Sequence, residues 1–148
     1  MARTRHIPLY QSVFTYTREL YRLRAGFPKS VKHDLGQEIC DSSIKLLKCV
    51  VIANGAVKKD RFLDRLLLEI EVQWALLRLV YELKAISAGQ FKLLSERLAE
   101  ITKQSQAWAK WVRTRESTNV MGLHGARKTL PNGLKMRQKR IEVSDQNF

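Results

Sequence analysis

The sequence predicts an all-α protein built as an antiparallel, up-down-up-down bundle of four helices. Four stretches of the 148-residue chain repeat apolar residues at intervals of three and four, which is the spacing of an amphipathic helix. The breaks between these stretches are short and contain Gly or Pro, so consecutive helices should be antiparallel neighbours. No stretch alternates polar and apolar residues for long enough to predict a strand.

Predicted helices one and two flank the turn at Gly26-Phe27-Pro28. Helix one follows Pro8 and ends at this turn, because Gly and Pro interrupt helices. Helix two begins at Lys29 or Ser30 and runs to about Asn54, where a glycine follows. Their core-facing stripes are Tyr10, Val13, Phe14, Thr17, Leu20 and Tyr21 in helix one and Leu35, Ile39, Ser42, Leu46, Cys49 and Ala53 in helix two.

Predicted helix three, from Lys58 to Ile86, contains no Gly or Pro and is apolar on two opposite sides. The side expected to face the core carries Leu63, Leu66, Leu67, Ile70, Trp74, Leu77 and Tyr81. The opposite side carries Leu68, Val72, Ala75, Leu76, Leu79, Leu83 and Ile86. A surface helix ordinarily has one apolar side, so the second stripe predicts contact with another copy of the chain. We expect the oligomer interface to comprise Leu68, Val72, Leu76, Leu79 and Leu83.

Predicted helix four runs from about Gln90 to Arg113, and Ser87 just before it is a candidate cap. Its core-facing stripe is Phe91, Leu94, Leu98, Ile101, Ser105, Trp108 and Val112. Beyond Arg115 the apolar pattern stops, and glycine and proline appear. The sequence therefore predicts a bundle over residues 1–115 and a basic, flexible C-terminal tail over residues 116–148.

The chain has 27 basic and 14 acidic side chains, which gives a net charge of +13 at pH 7. Predicted helices one and four and the tail hold most of the excess, whereas helix three is nearly neutral. Such an excess favours an anionic partner, and nucleic acid is the class that we expect. The expected contacts are Arg18, Arg22, Arg24, Lys29 and Lys32 around the first turn and Arg127, Lys128, Lys135, Arg137, Lys139 and Arg140 in the tail. The alternatives are that Asp34 and Glu38 neutralise the turn and that the tail is merely solvated.

The sequence holds no arrangement typical of an active site. His6, His33 and His124 are scattered, and neither a Gly-rich phosphate loop nor a nucleophile–base pair is present. Cys40 and Cys49 lie on opposite sides of predicted helix two, so we expect buried thiols rather than a disulfide or a metal site. We expect no enzymatic activity, cofactor or metal. No membrane span or signal peptide is predicted, and the expected location is the cytoplasm.

Several motifs resemble one family of four-helix proteins. The segment Phe27-Pro28-Lys29-Ser30 with Leu35-Gly36, the run LLRLVYELKAIS at residues 76–87, and the stretch from Phe91 to Trp111 are similar to the second, third and fourth helices of that family. It includes the accessory variability determinants (Avd) of diversity-generating retroelements and bundles encoded within ribosomal-RNA intervening sequences. The resemblance covers roughly residues 10–113, and its motifs are mostly core patterns.

The resemblance implies a non-catalytic accessory protein. Avd proteins form a ring-like pentamer with a basic surface, bind the reverse transcriptase of the element together with RNA and DNA, and support mutagenic reverse transcription. The basic tail favours the retroelement branch over the intervening-sequence branch. The alternatives are a ribosome-associated RNA-binding protein and a structural module whose partner is an acidic protein.

Overall fold

The computed structural model describes residues 6–126, and the side chains of residues 6–119. Its helices are α1 (Pro8–Arg24), the single turn α2 (Lys29–Lys32), α3 (Leu35–Gly55), α4 (Asp60–Glu82) and α5 (Ala88–Ala126). Within this described part there is no strand. The all-α class with four long helices is therefore confirmed.

The chain divides into two compact units, Met1–Val112 and Arg113–Phe148. Within the first unit, all four long helices contribute to one hydrophobic core, as the sequence pattern requires. The largest fully buried side chains are Tyr16, Leu20, Ile39, Leu46, Leu63, Leu66, Ile70, Gln73, Leu77, Leu94, Leu98 and Ile101. Of the second unit, the structure describes the helical residues 113–126.

Specific contacts connect neighbouring helices. The Thr17 hydroxyl on α1 donates a 3.4 Å hydrogen bond to the Ser43 carbonyl on α3. Between α4 and α5, the indole N–H of Trp74 donates to Thr102 Oγ1 at 3.1 Å. At the same junction, the rings of Tyr81 and Phe91 stack with centroids 4.3 Å apart. The sequence predicts Tyr81 on the core-facing side of helix three, and in the structure Tyr81 is 36% exposed.

The predicted second helix is interrupted between α2 and α3. Asp34 is the N-cap of α3, and its carboxylate accepts a hydrogen bond from the backbone N–H of Leu35. Such a side chain competes with the helix for backbone donors, which starts a new helix at this point. Gly36 then allows a close approach, since a Cβ there would lie 3.1 Å from the Phe27 ring and 3.3 Å from the Val31 carbonyl oxygen.

The helix predicted from Lys58 to Ile86 ends earlier than the sequence predicts, because α4 stops at Glu82 and α5 begins at Ala88. Lys84 has a φ of 60°, the left-handed conformation that ends many helices. Ile86 consequently lies beyond α4 and is buried rather than on the second apolar side. Ser87 and Gln90 form a reciprocal cap at the start of α5, with hydrogen bonds of 2.9 and 3.2 Å. The predicted cap at Ser87 is confirmed.

The predicted end of the fourth helix near Arg113 is wrong, because α5 continues to Ala126. The apolar stripe stops after Val112, but no Gly or Pro occurs from there until Gly122. Loss of an apolar stripe removes packing but does not itself break a helix, and α5 also continues through Gly122 and Gly125. Residues 127–148 of the predicted tail lie outside the described part of the chain.

Candidate nucleic-acid interface

Two arginines lie next to each other on the outer side of α1. Arg18 and Arg22 are four residues apart, hence one turn apart on the same side of the helix, and both are exposed. Among the described residues, no hydrogen bond or ion pair engages either guanidinium. Exposed guanidinium groups of this kind are accessible to anionic groups such as phosphates.

Two of the predicted contact residues, Arg24 and Lys32, donate side-chain hydrogen bonds to backbone carbonyls of the turn between α1 and α2. Arg24 Nε donates a 3.2 Å hydrogen bond to the Lys32 carbonyl. Lys32 Nζ in turn donates to the Ala25 carbonyl at 3.2 Å. Lys29 is exposed, so Arg18, Arg22 and Lys29 are the predicted cations of this region that present their charge outward.

The long helix predicted from Lys29 or Ser30 to about Asn54 is divided into α2 and α3 next to Lys32. Because the helix is interrupted at Asp34, Lys32 is the last residue of the one-turn helix α2. The carboxylate of Asp34 caps α3, which is a different role from neutralising the turn.

Aromatic side chains accompany the two arginines. Phe14 and Tyr21 are 43% and 42% exposed, although the sequence predicts both in the core. The half-buried Tyr10 stacks on Phe14, with ring centroids 6.1 Å apart and an interplanar angle of 23°. Burial, together with nearby Cys40 and Asp41, raises the pKa of Tyr21. We call Tyr10, Phe14, Arg18, Tyr21 and Arg22 the aromatic–arginine strip.

A second exposed feature is the apolar stripe of α4. Four residues of the stripe are between 40% and 55% exposed: Leu68, Val72, Leu79 and Leu83. The last of them directly follows the end of α4. Leu76 differs from the expectation, because it is half-buried and packs against the core. The opposite side of α4 is buried, so this helix has two apolar sides and the core of its own chain covers one of them.

The charged residues of α4 interact within the helix. Arg65 and Glu69 form an ion pair at 3.0 Å, and Glu69 is buried. Arg78 and Glu82 form a second pair at 2.9 Å, which is largely exposed. Both pairs have the four-residue spacing that stabilises helices.

The tail cations, metal sites and membrane spans complete the comparison with the sequence-based predictions. The tail cations Arg127, Lys128, Lys135, Arg137, Lys139 and Arg140 lie outside the described residues. Within residues 6–126, no group of three or more His, Cys, Asp or Glu side chains is arranged to hold a metal ion. No helix of this part of the chain is both long and apolar enough to span a membrane.

Comparison of the chain with models of known protein families finds no match, and comparison with curated proteins finds none either. The resemblance to the Avd family stays a prediction from the motifs of the sequence.

Proposed function

We propose that this protein is a non-catalytic accessory protein of a diversity-generating retroelement, which binds the reverse transcriptase and the template RNA through a basic surface. The observation that carries the proposal is the outward placement of Arg18 and Arg22 on one side of α1. The net charge of +13 and the all-α fold with four long helices agree with it. The motif resemblance supplies the retroelement context.

The proposal includes an assembly of several copies. The helices of each subunit are antiparallel, and the apolar stripe of α4 packs against another subunit in a ring-like oligomer, which the resemblance suggests is a pentamer. α4 carries five acidic and three basic residues, so the interface avoids the repulsion expected between two surfaces of a strongly basic protein. The basic side of α1 then stays available for RNA.

Salt dependence tests the nucleic-acid part of the proposal. Cations that bind phosphates release counterions, so affinity for a fluorescein-labelled RNA should fall steeply between about 50 and 200 mM salt. Replacement of Arg18, Arg22 and Lys29 by Glu should abolish the binding measured by fluorescence anisotropy. Affinity that does not change with salt would contradict the proposal.

A matched variant separates a local site from total charge. Lys45, Lys92 and Lys103 are exposed residues of α3 and α5, and their replacement by Glu changes the net charge by the same amount. If the site lies on α1, this control should retain most of the RNA affinity. Equal losses in the two variants would show that binding follows total charge alone.

Copurification tests the protein partner. The purified protein should capture the reverse transcriptase encoded beside its gene, and the gene neighbourhood should contain a repeated template. Capture of the polymerase without any affinity for RNA would favour the alternative of a structural module for an acidic protein. A ribosomal-RNA operon around the gene would favour the ribosome-associated alternative.

A further inference from the structure

The aromatic side chains on the outer side of α1 have no place in the function proposed above. Phe14 and Tyr21 are exposed, whereas their neighbours Val13 and Leu20 are almost fully buried. An exposed phenylalanine ring keeps apolar surface in water, which is unfavourable unless a partner covers it. Their position beside two outward arginines limits the chemistry of that partner.

We propose that the aromatic–arginine strip binds single-stranded RNA, with Tyr10, Phe14 and Tyr21 stacking on bases and Arg18 and Arg22 contacting phosphates. The inference rests on the proposed function, since it assigns a class of RNA and a mode of binding to the same surface. Every base has a flat face, so stacking on aromatic rings binds single strands with little sequence preference. Guanidinium groups complement this by pairing with phosphate oxygens.

The spacing of the strip suits a strand that runs along α1. Tyr10, Phe14, Arg18 and Arg22 follow one another at intervals of four residues, and Tyr21 follows Arg18 by three, which places them on one side of the helix. From Tyr10 to Tyr21 the helix rises about 16 Å, compared with about 3.4 Å per nucleotide in a stacked strand. Several bases therefore fit along the strip.

Ring orientation and charge both favour RNA over an apolar protein segment. The rings of Tyr10 and Phe14 are already stacked, with planes 23° apart, and Phe14 remains 43% exposed. α1 carries three arginines and a single carboxylate, Glu19. An apolar helix from another protein would desolvate Arg18 and Arg22 without a counter-charge, whereas a strand of RNA supplies flat rings and phosphates together.

Two RNA probes measured against ring variants test the inference. The probes are a fluorescein-labelled, unstructured single strand of about 20 nucleotides, longer than a typical binding site, and a duplex RNA of equal length. The variant Phe14→Leu/Tyr21→Leu should bind the single strand about tenfold or more weakly. Its affinity for the duplex should be retained, since paired bases offer no face to the rings and the arginines remain.

Conservative variants sharpen the test. Phe14→Tyr keeps an aromatic ring and should bind the single strand as the wild type does, whereas Phe14→Leu alone should weaken binding. Leu93→Ala is the control for an exposed apolar residue, since Leu93 is 39% exposed on α5, and it should have no effect. Unchanged single-strand affinity in the double variant, or equal losses on both probes, would overturn the inference.

The same measurements distinguish a failure of the proposed RNA-binding function from a failure of the stacking inference alone. If the wild type binds neither probe, the proposed RNA-binding function fails and this inference fails with it. If the wild type binds the single strand and the double variant binds it equally well, only the stacking inference fails. If light scattering shows that the double variant loses the native mass, the rings of α1 form a contact between subunits, which also overturns it.

Discussion

The side-chain amide of Gln73 on α4 donates a 2.9 Å hydrogen bond to the phenolic oxygen of Tyr16 on α1. Both side chains are fully buried. The same amide nitrogen lies 3.5 Å from the Ile39 carbonyl of α3, so one polar group connects three helices inside the core. Burial raises the pKa of Tyr16 well above its usual range, and the phenol stays neutral.

Tyr16→Phe should lower the free energy of unfolding by about 1–3 kcal/mol, measured by urea denaturation. The substitution removes the acceptor of the short hydrogen bond and leaves the buried Gln73 amide with only the long contact to Ile39. Gln73→Met should be destabilising for the reciprocal reason, because the Tyr16 hydroxyl loses its partner.

The double variant Tyr16→Phe/Gln73→Met is the control for this pair. Replacing both polar partners leaves neither one buried alone, so the double variant should lose at least about 0.5 kcal/mol less than the sum of the single losses. Strict additivity would show that the two side chains contribute independently despite their hydrogen bond.

Sequence periodicity predicts the four long helices and most of their buried sides, because apolar spacing determines which side a helix buries. It fails on α1, where Tyr16 is buried and Phe14 is exposed. Both residues are aromatic, so their chemistry alone does not distinguish the buried position from the exposed one. The exact rotation of α1 depends on its packing against α3, which a pattern in one helix does not contain.

Polar core residues and turn contacts are equally difficult to predict from sequence. Gln73 and Glu69 are buried on α4, yet both are normally surface residues. The partner of Gln73 is Tyr16, which is distant in sequence. The partner of Glu69 is Arg65, which lies one turn earlier on the same helix. The engagement of Arg24 and Lys32 with the carbonyls of the α1–α2 turn likewise depends on backbone geometry rather than on residue type.

The apolar stripe of α4 should control assembly. Val72→Lys/Leu79→Lys introduces two charges at exposed positions, so each chain should keep its helicity by circular dichroism. Light scattering should nevertheless report a smaller particle, because buried lysines are strongly unfavourable at an interface between copies. Leu76 is left intact, since it packs against the core of its own chain.

Leu93→Lys serves as the control for added charge at a comparably exposed apolar position on another helix. It should keep the native mass. If the α4 variant also keeps the native mass, the stripe is not an interface between copies, and the proposed ring assembly through α4 would be withdrawn.

Lys59 should stabilise the end of α3. Its ammonium group donates hydrogen bonds to the carbonyls of Ala53, Asn54 and Ala56 at 2.8–2.9 Å. These carbonyls lie at the helix C-terminus, where a cation is favourable, although burial lowers the pKa of Lys59. Lys59→Met should reduce the free energy of unfolding by about 1–3 kcal/mol, measured by urea denaturation.

The neighbouring Lys58 provides the matched control for Lys59. Lys58 is exposed, so Lys58→Met changes the same charge without removing these hydrogen bonds and should alter stability by less than about 0.5 kcal/mol. Equal losses in the two variants would mean that the charge of this segment matters and that the three hydrogen bonds of Lys59 do not.

The buried thiols should make stability fall in alkaline solution. Burial raises the pKa of both Cys40 and Cys49 from an ordinary value of 9.0 to about 11. The unfolded chain therefore loses these protons at lower pH than the folded chain does. Their contribution to stability is fully present below about pH 9 and is lost as the pH rises towards 11.

Urea denaturation at a series of alkaline pH values measures this loss, and Cys40→Ala/Cys49→Ala is the comparison. The double variant should be less stable near neutral pH because each substitution leaves a small cavity. Its stability should nevertheless decline less steeply above about pH 9 than that of the wild type, since only the remaining groups titrate. Parallel declines in the two proteins would show that both thiols ionise equally readily in the folded and unfolded chains.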